Sequence, residues 1–91
     1  MDDISKRRQI DDAMLGSVMT AISGNLLMRL KQKGRGISVS THEILGLATE
    51  EMRELEDAVR GDNAEQVYTE LVDLAVVCAV GMASICTGID S

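Results

Sequence analysis

Four acidic side chains, Glu51, Glu54, Glu70 and Asp73, recur as two matched pairs. In each pair a second carboxylate follows the first by three residues, which on an α-helix is about 60° round and one turn on. Projected at about 100° per residue, Glu51 falls inside an apolar arc with Leu47, Ala58, Ile44 and Leu55, and Glu70 inside one with Val77, Gly81, Leu74 and Val67. Glu54 lies eight residues before Asp62 and Glu70 eight after it; Glu51 lies eleven before and Asp73 eleven after. A chain that turns back at Asp62 therefore brings all four acids to matching heights in one apolar interface. Crowded carboxylates in a low dielectric stay ionised only beside cations. No Lys or Arg lies in either arc. An all-oxygen set suits a hard divalent cation, Mg²⁺ or Mn²⁺, better than zinc. A di-iron bundle would add a Glu-x-x-His motif, and the one histidine, His42, lies a turn or more away on the outward side. Any one of these acids alone reads as a solvated surface residue; the matched angle and height of four point to metal.

The elements that must position them are helices. The first is expected from about Ser5 or Ile10 to Lys33, with Leu15, Val18, Met19, Ile22, Leu26 and Leu30 at helical spacing. Gly16 and Gly24 weaken it and leave room for close packing of another helix. Gly34-Arg35-Gly36 ends it and lacks the Lys-Ser/Thr of a phosphate loop. The second begins after Ser40, where Ser40-Thr41-His42-Glu43 fits a capping box, and runs to Arg60, with Gly61 placed to take a left-handed conformation. The third is capped by Asn63 or Asp62 and runs to about Ile85. So short a link forces helices two and three into an antiparallel hairpin.

Ninety-one residues make a single domain, 1–91, with a motif-bearing hairpin over 41–86. Hydrophobic residues are 45% of the chain, too many for a disordered one. The absence of Pro and the single aromatic, Tyr68, argue against an all-β fold. A net charge of −6 argues against a partner that is a nucleic acid polymer. An anionic ligand would need metal cations as mediators. The apolar run from Leu74 to Cys86 is thirteen residues, read here as too short to span a membrane of about 20 residues. Met1-Asp2-Asp3 lacks the pattern of a signal peptide. Cys78 and Cys86 cannot bond to each other along one helix, and read as buried thiols of a cytoplasmic protein.

The string Glu50-Glu51-Met52-Arg53-Glu54, then fifteen residues, then Glu70-Leu71-Val72-Asp73 resembles the EExxE…ExxD signature of the MazG-like nucleoside triphosphate pyrophosphohydrolases, of the all-α NTP pyrophosphatase superfamily. The flanks are similar too: Ile44-Leu45-Gly46-Leu47-Ala48, Leu55-Glu56-Asp57-Ala58 and Leu74-Ala75-Val76-Val77. The resemblance covers about His42 to Ile85. It implies Mg²⁺-dependent hydrolysis of a nucleoside triphosphate to the monophosphate and pyrophosphate. By motif position it implies Glu51, Glu54, Glu70 and Asp73 as metal ligands, with Glu50, Glu51 and Glu54 as the catalytic set. Glu50 would polarise the attacking water or support the ligands. Relatives often carry an aromatic residue near the base and an Asn or Lys further along the last helix. Here Val77-Cys78-Ala79-Val80-Gly81-Met82 holds no polar group before Ser84, and Tyr68 reads as a surface or interface residue.

Lys31, Lys33 and Arg35 are the candidate cations for a phosphate tail, although they equally complement the C-terminal dipole of helix one. Lys6-Arg7-Arg8 reads as a solvated end, and the Met residues at 14, 19, 28, 52 and 82 as core or interface filler. Helix three beyond Asp73 is apolar on nearly all sides, so it needs burial on several faces. The expected architecture is an all-α, three-helix protomer that completes a four-helix-bundle core by forming a homo-oligomer. The leading expectation is an enzyme. The rival is a catalytically weak or inactive bundle of the same kind, serving as a metal- or nucleotide-binding or interaction module.

Overall fold

The computed structural model describes residues 7–89. It is all-α, with three helices in the order α1 (Asp12–Lys33), α2 (Thr41–Arg60) and α3 (Ala64–Thr87), and no strand among the described residues. Lys6 and a helix start near Ser5 lie outside the described residues; from Arg7 to Asp11 the chain is not helical. The Asp11 carboxylate accepts from Met14 N at 2.8 Å and so sets the start of α1. Gly34 ends α1 at φ 86°, donating its N–H to Leu30 O.

The caps of the hairpin explain its register. Ser40 Oγ accepts from Glu43 N at 3.2 Å, while the Glu43 carboxylate accepts from Val39 N, one residue before the position a capping box would satisfy. Asn63 Oδ1 accepts from Gln66 N and opens α3. The left-handed residue of the turn is Asp62 (φ 54°), not Gly61, which keeps right-handed geometry and donates to Asp57 O. A short Asp side chain tolerates that conformation, so the glycine is not needed there.

α3 is the central helix, packed against both α2 and α1. The α2–α3 seam is close at Gly81, where an added Cβ would lie 2.8 Å from Ile44 Cγ2. A Cβ added at Gly16 or Gly24 would meet nothing within 4 Å outside its own helix backbone, so no other helix of this protomer uses the room they leave. The buried apolar core is small: Ala58, Val72, Val76 and Val77. No residue of α1 is buried, and its expected packing positions Leu15, Val18 and Met19 are exposed. Cys78 and Cys86 are also exposed, contrary to the expectation of buried thiols, as are Met14, Met19, Met28, Met52 and Met82. For Cys78 and Met82 the reason lies in the packing of α3. α3 buries the side of its wheel that holds Val72, Val76, Asp73, Ser84 and Val77, and leaves the flank with Cys78, Leu71 and Met82 uncovered.

Ser84 ties the loop before α2 to the core. Its hydroxyl donates to Val80 O at 2.8 Å and accepts from Ser38 N at 3.0 Å, and both serines are buried. Ser84→Ala leaves the Ser38 N–H buried without a partner, which costs about 1–3 kcal/mol. Urea unfolding is expected to show that loss, with Thr87→Ala, an exposed hydroxyl with only an i−4 contact, close to wild type.

By length and composition, α1 and α3 are each long and apolar enough to cross a membrane. The thirteen-residue count was too short because α3 runs unbroken for 24 residues and its apolar character extends beyond Leu74–Cys86. A helix buried in a protein core passes the same test. α3 packs on both other helices and holds the acids Glu70 and Asp73 within its span, Glu70 buried.

Candidate metal centre

α2 and α3 bring the two acidic pairs together. Glu51, Glu54, Glu70 and Asp73 each offer a carboxylate oxygen, and these atoms all lie within 4.8 Å of one another. Oxygens bound to one Mg²⁺ at about 2.1 Å stand at most about 4.2 Å apart. A small contraction therefore lets one ion span the set, and two bridged ions need less.

Burial differs among the four. Glu70 is 7% exposed, Glu51 and Asp73 are half-buried, and Glu54 is open to solvent. Gln66 Nε2 donates to Glu70 Oε1 at 2.6 Å and steadies that carboxylate from one turn before it. Glu51 Oε2 and Glu70 Oε2 are buried and have no hydrogen-bond partner. Unsatisfied carboxylate oxygens are costly in such a place. They mark where a cation would restore the balance, and oxygen-only donors match a hard one.

The crowding shows in protonation. Burial raises the Glu51 carboxyl above its ordinary range, with the charges of Asp73, Glu70 and Glu50 adding to the rise; a side-chain hydrogen bond with Glu54 works in the opposite direction. Burial, then the Glu70 charge, raises Asp73. A carboxyl with a raised folded-state pKa binds its proton more tightly when folded, so its contribution to stability falls as pH rises. The penalty is absent below the ordinary carboxylate pKa of about 4 and complete above the raised values. Between those limits the urea midpoint of the metal-free protein is expected to rise as pH is lowered. The slope should flatten in Glu51→Gln.

Glu50 is exposed and is not one of the four, although its charge acts on Glu51. The three cations at the end of α1 are separated. Lys33 lines a cleft of about 250 Å³ together with Glu51 and Asp73. Arg35 lines a different hollow, with Leu26, Leu30 and Val80, and Lys31 is exposed and lines neither. Sequence reasoning passed over Arg29 and Asn25, which also line the Glu51–Asp73 cleft. A polar stripe was there to be read: Asn25, Arg29 and Gln32 fall on one face of an otherwise apolar helix. Tyr68 is half-exposed and lines a small hollow with Asn25 and Asp73. His42 is exposed. Compared with protein-family models, with curated proteins and with solved structures, the chain matches none.

Proposed function

We propose that the protein is a metal-dependent nucleoside triphosphate pyrophosphohydrolase, of the MazG-like kind that its motifs resemble. The observation that carries this reading is the convergence of four carboxylates, two with buried oxygens lacking any partner; two of the four, Glu51 and Asp73, also line a cleft with cations from α1. Glu51, Glu54, Glu70 and Asp73 hold the divalent cation, Mg²⁺ or in its place Mn²⁺. When bound, the cation neutralises charge on the triphosphate and lowers the pKa of water. Water adds at the α phosphorus, the bond from that phosphorus to the bridging oxygen breaks, and pyrophosphate leaves. Glu50, exposed and close enough for its charge to act on Glu51, takes the proton the water gives up or supports the ligands, and Glu54 is the open member of the set. Glu70 and Gln66 keep their positions through the hydrogen bond between them.

The same reading places the protein in the cytoplasm, with its substrate, and makes it a homo-oligomer. It needs neither a membrane nor a nucleic acid polymer. The uncovered apolar flanks of α2 and α3 support the oligomer.

Pyrophosphate release from a panel of nucleoside triphosphates with Mg²⁺ tests the activity. Turnover that disappears in Asp73→Asn, with folding intact, supports it. Mg²⁺ binding without release from any triphosphate would favour the binding-module reading, which the apolar run Val77–Met82 on α3 keeps open.

A further inference from the structure

The Glu51–Asp73 cleft has two chemically distinct walls. α2 contributes Glu51, and α3 contributes Asp73 with two valines, Val76 and Val77. α1 contributes Arg29 and Lys33, one turn apart, with Gln32 between them. Among the described residues those are the only cations lining the cleft. Arg29 is half-buried, yet neither it nor Lys33 makes an ion pair or a side-chain hydrogen bond among the described residues. Asn25, by contrast, is already turned back to Ala21 O at 2.7 Å.

An arginine facing two carboxylates ordinarily closes on them as a bidentate pair. Here about 250 Å³ of cleft keeps the two sides apart. Once the carboxylates carry divalent cations, both walls are positive and the space between them suits a multiply charged anion. The guanidinium fork matches phosphate oxygens in a way a point charge does not.

We propose that Arg29, with Lys33 one turn on, holds the phosphate chain of the substrate from the α1 side, opposite the metal-bearing carboxylates. This inference rests on the pyrophosphohydrolase reading and adds a binding residue to it. It also supplies from α1 the cationic contact that α3 lacks.

The test uses inorganic tripolyphosphate as the probe, titrated calorimetrically into the full chain saturated with Mg²⁺, alongside a titration of Mg²⁺ alone. Arg29→Met is expected to weaken tripolyphosphate binding at least tenfold and Lys33→Met severalfold. Arg29→Lys should recover part of the loss, and Arg53→Met, on an exposed position of α2, should match wild type. Mg²⁺ affinity without tripolyphosphate should be undiminished in Arg29→Met, because removing a positive charge beside the carboxylates does not weaken a cation. A purely structural role for Arg29 predicts lower stability at unchanged tripolyphosphate affinity. Equal affinities in wild type and Arg29→Met, or no binding by Mg²⁺-loaded wild type, overturn the inference while leaving the metal site standing. No Mg²⁺ binding by wild type at all would remove the pyrophosphohydrolase reading and this inference together.

Discussion

Glu70→Gln is expected to raise the melting temperature of the metal-free protein and to abolish its further rise on adding Mg²⁺. The substitution keeps shape and keeps an oxygen to accept from Gln66 Nε2. It removes a negative charge from the most buried of the four acids, whose second oxygen has no partner. The amide N–H that replaces that oxygen can donate to the crowded carboxylates where Oε2 could only accept, a gain of about 1–3 kcal/mol. For a domain of this size that is a shift of roughly 4 °C or more. The loss on the other side is larger. Removing even a group that only supports a ligand typically weakens metal binding about 10–100-fold, and a ligand itself should exceed that. Stability without metal and affinity for metal thus move in opposite directions. A scaffold of ordinary surface acids predicts no effect of Mg²⁺ on wild type. Thermal melts of wild type and Glu70→Gln, each with and without Mg²⁺, separate the two, and a wild-type melt indifferent to Mg²⁺ would falsify the metal assignment.

In the homo-oligomer proposed above, Met82→Glu is expected to give monomers and lower stability sharply. On α2, Leu45, Met52 and Val59 lie about 80–120° from Glu51; on α3, Ile85, Cys78, Leu71 and Met82 lie about 60–120° from Glu70. In an antiparallel hairpin, equal offsets of the same sign fall on the same side, so the two strips form one apolar face. That face is bare in the protomer: Met82 is 69% exposed and Leu45 65%. Covering a side chain of this size is worth about 1.5–3 kcal/mol, and a two-fold interface counts it twice. Light scattering over a range of concentrations reads the change in mass. Cys78 provides a second readout, since it lies in the strip while Cys86, about 160° from Glu70, lies outside it. Thiol reagents should label Cys86 alone in wild type and both residues in Met82→Glu. If Met19→Glu on α1 dissociates the protein and Met82→Glu does not, the interface is elsewhere.

The hairpin and its acids were legible in the sequence because both depend on local rules. Helical period places Glu51 and Glu70 among apolar residues, and the short link fixes their relative height. The caps were read to within a residue: Ser40 and Asn63 act as expected, while Asp62 takes the conformation assigned to Gly61. What escaped depends on tertiary placement. A wheel shows which side of a helix is apolar, not which apolar side its own chain covers, so the burial expected of Cys78 is not provided by its own protomer. The same limit hid Arg29. Lys31, Lys33 and Arg35 stood out as a run of charge, whereas the packing of α1 on α3 decides which cation faces the cleft. Ser84 was visible only as a break in an apolar run; its hold on Ser38 spans 46 residues.

Tyr68 is the single aromatic residue of the chain, and there is no tryptophan. Its ring borders the hollow that shares Asn25 and Asp73 with the main cleft. The intrinsic ultraviolet emission of this protein therefore comes from one known spot beside the acids. Any molecule that settles there can be followed by the change in that glow, with no dye attached and no residue exchanged.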